Sequence, residues 1–302
     1  MSAPVIAGQK GRRFRASLGV LYSLPALVLL LVFSVLPFLW SLRLAFYESN
    51  GLGFSEFAGL GNFFEIFTDS MFWWSAMILA VFVLLMAPIQ TIGPLIGARL
   101  VYAVKHKFAA SVYRAVFVLP VVIPMAVGVL IWRDLYSGDG AVNQLLTLVG
   151  LESWARSWLG DRAVVIPAIV FMGVPFVGGV NLLIYLAGFL NIPSSMHEAA
   201  AIEGASVWRV FFSIELPWLL PQIRLIVVLS LIGAIHSYEH ILILTNGGPG
   251  DATLVPALYL FRHGFEYGNL GYACAVGVIL FAVTLGLTLL NFRLTRSAGS
   301  HQ

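Results

Sequence analysis

Charge is what this sequence has least of. Asp, Glu, Lys and Arg together make up 10% of its 302 residues, against about a quarter in soluble domains. So little charge cannot clothe a water-soluble globule, and it excludes a charge-rich disordered chain as well. Cysteine is nearly missing too: Cys274 is the only one, which rules out a disulfide framework and a thiolate metal centre. No segment is long enough for a soluble domain, because the longest pieces between apolar runs are residues 47–71, 133–162, 188–219 and 245–269. G-x-x-x-x-G-K-[ST] is absent, so the chain does not hold ATP through a P-loop. H-E-x-x-H, G-x-S-x-G and paired aspartates on facing spans are absent as well, which argues against an intramembrane enzyme. There is no internal repeat and no matched pair of broken helices of the kind inverted-repeat transporters show.

Apolar residues fill the space that charge leaves. They make up 60% of the chain, and the mean hydropathy is +0.93. A helix crosses a bilayer with about 20 mostly apolar residues. Six stretches meet that length, at residues 18–40, 73–98, 113–132, 164–187, 221–244 and 270–291, the last two interrupted by a few polar side chains. The expected fold class is all-α: a polytopic membrane protein with six transmembrane helices, residues 1–302 forming one domain. The first run follows Lys10, Arg12, Arg13 and Arg15. It is longer than the 7–15 residues or so of a signal peptide's apolar region, and no A-x-A follows it, so it is expected to be a retained helix. Pro25, Pro88, Pro94, Pro120, Pro124, Pro167 and Pro175 lie inside the runs; each favours a kink that neighbouring helices can accommodate.

The few charges sort by side. Short basic loops stay in the cytoplasm. Lys10, Arg12, Arg13 and Arg15 precede the first run; Arg99, Lys105, Lys107 and Arg114 lie in the segment 99–114 that leads from the second run into the third; Arg209 and Arg224 flank the start of the fifth; Arg293 and Arg296 end the chain. Placing all of these inside leaves only Arg43, Arg133, Arg156, Arg162 and Arg262 outside, among most of the acids. The expected orientation has both termini cytoplasmic. Basic residues are then a topology signal and not a nucleic-acid patch.

One inner segment is unlike the rest: "SSMHEAAAIEGASVWRVFFSIELP", residues 194–217. Ser195 stands three residues before Glu198, the spacing of a capping box. This predicts a helix over about 196–203, stopped by Gly204 in the left-handed conformation. A second helix over about 206–216 would end at Pro217. An interfacial helix normally turns Lys and Arg toward anionic lipid, whereas here Glu198, Glu203 and Glu215 are expected on the polar face. Acids with alanines and a glycine suit a protein socket better than a lipid surface.

The same segment resembles the EAA loop, E-A-A-x3-G-x9-I-x-L-P, of binding-protein-dependent ABC importer permeases. All seven fixed positions agree: Glu198, Ala199, Ala200, Gly204, Ile214, Leu216 and Pro217, with Glu203 where many members have Asp. Three other stretches are similar to elements of the carbohydrate-uptake branch: "FAGLGNF" at 57–63, "YRAVFVLPVVIPMAVGVLIWRDLYSGDGAVNQLL" at 113–146 and "ILTNGGPGDAT" at 243–253. The resemblance implies the type I ABC importer permease fold, with a coupling loop at 190–219. Glu198, Ala199, Ala200, Glu203, Gly204, Ile214, Leu216 and Pro217 are its coupling residues toward an ATPase. It further implies a transport subunit and no enzyme, seated in the plasma (bacterial inner) membrane. A second related permease (a heterodimer), two ATPase subunits and an extracytoplasmic sugar-binding protein would complete the system. No cofactor would be bound by this chain, since ATP and Mg belong to the ATPase subunits.

Ionisable residues inside a span are costly and point to function. The fifth run carries His236, Ser237, Tyr238, Glu239 and His240; the fourth carries Asn181 and Tyr185. Spaced i, i+3 and i+4, His236, Glu239 and His240 would share one helical face. Donors, acceptors and aromatic faces of this kind suit a sugar, so Asn181, His236, Ser237, Tyr238, Glu239 and His240 are candidate substrate contacts. The same residues suit interhelical hydrogen bonding, and two His with a Glu suit a proton path or zinc. The resemblance favours sugar, because similar permeases place substrate contacts on the helix after the EAA loop. The Gly/Pro-rich 245–251 stretch is expected to be a turn, with contact to the binding protein as a second role. Trp154 and Trp158 suit an interfacial belt. The alternative function is an ion-coupled secondary transporter, which would need no ATPase.

Overall fold

The computed structural model describes residues 22–53, 55–172, 174 and 178–298. Lys10, Arg12, Arg13, Arg15, the first few residues of the first apolar run, and Pro175 lie outside the described residues. Among the described residues, three helices are each long and apolar enough to cross a membrane: α1 (Tyr22–Leu44), α3 (Ser70–Ala103) and α14 (Leu270–Ala298). Three bent pairs raise that number to as many as six. The first pair is the Lys107–Val122 helix (α4, closing in a 3-10 turn) with α5 (Met125–Leu135), bent by 93°. The second is α8 (Gly179–Leu190) with α9 (Ser194–Ile202), bent by 67°, and the third is α10 (Val207–Trp218) with α11 (Leu220–His236), bent by 65°.

Prolines explain much of this breakage. Pro124 is extended at the start of α5 (ψ 135°) and cannot continue the helix before it. Two further prolines act more gently. The turns Leu31–Val35 in α1 and Phe211–Glu215 in α10 are π-helical, and each is followed by Leu-Pro. In each, the leucine N–H reaches the carbonyl five residues back. A proline ring presses on the carbonyl four residues before it, and a wider turn gives that carbonyl room.

The fourth and fifth runs are not the continuous spans expected from their hydropathy. Residues 164–187 hold α7 (Val165–Phe171) and most of α8, and residues 221–244 hold α11 and α12 (Glu239–Leu244). The small β-hairpin was not foreseen either: β1 (Tyr47–Ser49) pairs antiparallel with β2 (Ser55–Phe57), Tyr47 opposite Phe57. Their rings meet edge to face at 5.3 Å.

The chain divides into two compact units, Met1–Ile66 with His263–Val278, and Phe67–Arg262 with Ile279–Gln302. In the first, buried Asn62 of α2 (Gly61–Thr68) donates to the carbonyls of Ala45 (2.9 Å) and Tyr47 (3.0 Å). The asparagine of "GLGNF" is thus a latch for the hairpin. In the second, α3, α8 and α11 surround a core that includes Leu95, Leu182, Tyr185, Phe189, Leu219 and Ile226. Their close approach needs small residues, as at other membrane helix contacts. A side chain at Gly188 would collide with Leu219, and one at Gly178 (φ +75°) would lie 2.8 Å from Pro94. No residue in the apolar window of α1 is buried.

Candidate functional site

The 190–219 loop is built to a definite shape. α9 begins at Ser194 with Pro193 as its cap residue and no side-chain capping bond. The expected Ser195–Glu198 capping box does not form. Pro193 holds the pre-helical conformation (φ −58°, ψ 132°), so the helix starts two residues early and Ser195 already lies within its first turn. The other end closes as expected. Gly204 is left-handed (φ +68°), the N–H of Ala205 bonds the carbonyl of Ala200 at 2.9 Å, and that of Gly204 bonds Ala201 at 3.1 Å. This is a Schellman stop. Ser206 then caps α10 by accepting from the N–H of Arg209 at 3.3 Å.

The residues expected to couple fall into two sets. Glu198, Ala199, Glu203, Gly204 and Pro217 are exposed, whereas Ala200 is buried and Ile214 and Leu216 pack on the core. An apolar patch that the sequence reading missed surrounds the exposed set: Ile202 (88% exposed), Val207, Trp208 and Phe212. The Trp208 and Phe212 rings stack 6.2 Å apart.

Glu215 departs from expectation. It is 1% exposed and is not part of the polar face. Trp208, Phe212 and Glu215, spaced i, i+4 and i+7, would share one face of a regular α-helix. The π turn at Phe211–Glu215 takes in an extra residue and turns Glu215 inward. There Arg99 Nε of α3 donates to Glu215 Oε2 at 2.5 Å, and His197 Nε2 of α9 lies 3.3 Å from Oε1. Arg99 also sits over the ring of Tyr102, which stacks on Phe189 at 5.2 Å.

The fifth-run candidates do not stay together. α11 ends at His236, and Ser237 is extended (ψ 98°) before α12 starts at Glu239. The Ser237 hydroxyl and His240 Nδ1 share a 2.8 Å hydrogen bond, a local bond of the kind that competes with helix continuation. His236, Glu239 and His240 therefore do not share one helical face. His236 and Glu239 are exposed, and Tyr238 is half-buried with its ring stacked on Phe261 at 5.5 Å. Ser237 and His240 line a cavity of about 100 Å³ with Gln90, Ser230, Phe82 and Met86. The buried Ser230 hydroxyl has no hydrogen-bond partner among the described residues. Ligand pockets usually measure about 300–1,000 Å³, so this cavity is at most one wall of a site that encloses a sugar.

Asn181 sits elsewhere. Its Nδ2 donates to the carbonyl of Gln90 at 3.1 Å. Gln90 is four residues before Pro94, which has no N–H to offer that carbonyl. Asn181 supplies the missing donor from the facing helix.

The 245–251 stretch is a turn, as expected, with positive φ at Asn246, Gly247, Gly250 and Asp251. Arg262 holds it from one side through Asp251 Oδ1 (3.1 Å) and the Asn246 carbonyl (2.5 Å). Thr253 holds it from the other, through Thr245 and the Gly248 carbonyl, each at 2.8 Å. Asn143 is a comparable hub: it accepts from Trp158 Nε1 at 2.8 Å and donates to the carbonyls of Gly138 and Arg156, each at 3.0 Å. Trp154 is exposed.

A family model described as "Binding-protein-dependent transport system inner membrane component" matches residues 90–298. The "Probable ABC transporter permease protein YesP" of Bacillus subtilis is 34% identical over 91% of this chain and 89% of its own length. The "Lactose transport system permease protein LacF" of Rhizobium radiobacter is 29% identical over 92% and 94%. The "Trehalose/maltose transport system permease protein MalF" of Thermococcus litoralis is 29% identical over 93% and 94%. Among solved structures, a chain of a bacterial alginate ABC transporter in complex with an alginate pentasaccharide-bound periplasmic protein has the same fold, with a TM-score of 0.83 over 96% of this chain and 98% of that one, at 21% identity. With an apolar helical fold and an EAA loop built to shape, the chain belongs to the family of binding-protein-dependent transport system inner membrane components.

Proposed function

We propose that this chain is one of two related permease subunits of an ATP-driven importer for a sugar or sugar-like solute. The observation that carries this reading is the 194–218 loop: a closed, capped knob whose exposed face is apolar (Ile202, Val207, Trp208, Phe212) while its rear is packed on the core. Such a knob suits a protein groove. Its partner is an ATPase subunit, with Glu198, Ala199, Glu203 and Gly204 at the contact; Ala200, Ile214 and Leu216 hold the knob in place. Two ATPase subunits carry ATP and Mg, an extracytoplasmic binding protein delivers the solute, and this chain binds no cofactor and catalyses no reaction. Residues 1–302 act as one transport domain with both termini cytoplasmic.

The relatives named for lactose and trehalose/maltose transport support a saccharide cargo. The Ser237–His240 pair, with Gln90 and Ser230, offers hydroxyl-directed groups on one wall of a pathway. A second permease would supply the facing wall, which suits the small volume of this one. Exposed His236 and Glu239 fit either a solute path or the partner permease.

The test is solute uptake by proteoliposomes that contain the permease pair with and without its ATPase subunits. The expected result is uptake that needs ATP, the ATPase subunits and the binding protein. Uptake by this chain alone, driven by an ion gradient, would establish the secondary-transporter alternative instead.

A further inference from the structure

The Arg99–Glu215–His197 cluster is costlier than its surroundings require. Glu215 is 1% exposed and each of its oxygens meets a nitrogen of a partly exposed partner, Arg99 (23% exposed) at 2.5 Å and His197 (29%) at 3.3 Å. A buried ion pair is often no more stabilising than well-packed apolar residues of the same size. Stability alone therefore does not account for placing one here. What an ion pair adds is registry. Apolar surfaces slide past one another, whereas a short charged bond fixes one atom of one helix on one atom of another.

The helices so fixed are informative. Glu215 ends the π turn of α10, His197 is on α9, and Arg99 is in the last turns of α3. α3 also carries Gln90, Met86 and Phe82, which line the cavity with Ser237 and His240. Arg99 and Gln90 are nine positions apart, about 14 Å along a helix at 1.5 Å per residue. Pro94 weakens α3 between them, and the Asn181 bond to the Gln90 carbonyl braces it just beyond that point.

We propose that Arg99 and Glu215 are positioning residues for transport: their ion pair makes the 194–218 loop and α3 move together, so that a displacement of the loop reaches the cavity wall at Gln90. The proposal rests on the coupling role of the loop argued above. His197 is the second donor that keeps Glu215 turned toward Arg99.

The experiment uses the full transporter in proteoliposomes and reads solute imported per ATP hydrolysed, with retention of the ATPase subunits followed by gel filtration. Glu215→Gln and Arg99→Met are each expected to lower the ratio at least tenfold while the complex stays together. Arg99→Lys, which keeps the cation, should recover at least half of it; a merely space-filling role would not distinguish Lys from Met. Arg99→Met/Glu215→Leu removes both charges, which buried pairs tolerate, and keeps the question open to test if a single variant fails to assemble. It too should lose the ratio at least tenfold. A wild-type ratio in this double variant, or no difference between Arg99→Lys and Arg99→Met, would overturn the proposal. Gly204→Trp, which alters only the exposed knob, is measured in parallel. If it uncouples the transporter while the double variant does not, the ion-pair link falls and the coupling loop stands. If Gly204→Trp is also normal, the coupling reading falls and this proposal with it.

Discussion

Replacing Asn181 and Pro94 separately and together tests whether a side chain substitutes for a missing backbone donor. The Asn181 amide lies 3.1 Å from the Gln90 carbonyl, which Pro94 leaves without its helical partner. A buried carbonyl stripped of its bond costs about 1–3 kcal/mol, although interhelical bonds in membranes average only about 0.6 and reach about 1.7. Asn181→Ala alone should therefore cost about 1 kcal/mol, read as a fall of roughly 2 °C in the melting temperature of the detergent-solubilised complex. In a Pro94→Ala background the backbone N–H of residue 94 can satisfy Gln90, and the same Asn181→Ala change should cost little. The cycle should thus show a coupling of about 1 kcal/mol between positions that share one acceptor. Equal costs in the two backgrounds would refute the account. A drop in apparent sugar affinity with an unchanged melting temperature would instead return Asn181 to the substrate path.

Asp69 caps α3 by accepting from the Met71 N–H at 2.7 Å, and it also accepts from the Tyr259 hydroxyl; Asp69→Ala should cost the worth of a cap, about 0.5–2 kcal/mol, read as a lower melting temperature, and Asp69→Asn should cost less. Ala201 and Asp139 are both exposed. In a Cys274→Ala background, a cysteine at 201 should react with an impermeant thiol reagent only from the cytoplasmic side and one at 139 only from the outside; the reverse pattern would sink the orientation and the coupling role together.

What the sequence made legible was whatever depends on neighbours along the chain. Gly204 could be read as a helix stop because a single left-handed residue serves that end. The Gly/Pro turn at 245–251 was equally local, though the Arg262 and Thr253 bonds that hold it were not. Ser195 misled because Pro193, two residues earlier, sets the start of the helix. Hydropathy found the apolar runs but not their interruptions, since Ser237 breaks the fifth run through a bond to His240 that leaves the composition unchanged. Glu215 was misplaced for a different reason. Its partner Arg99 lies 116 residues away, and helical periodicity cannot anticipate a turn that takes in an additional residue. Gln90 and Ser230 gave no signal, because one polar residue in an apolar run becomes informative only when another element supplies its neighbours.

The π turn before Leu216-Pro217 also makes the length of this loop a matter of phase. Each residue added to or taken from a helix rotates everything beyond it by about 100°. Deleting one residue between Phe211 and Glu215 would restore an ordinary α-helical count, at little cost to helix formation itself. The glutamate would then follow Trp208 by six residues, which at about 100° each leaves it on the side away from Trp208 and still toward Arg99 and His197. A one-residue gap here would keep the inner and outer faces of the helix as they are, and would remove only the wide turn that gives the carbonyl four residues before Pro217 its room.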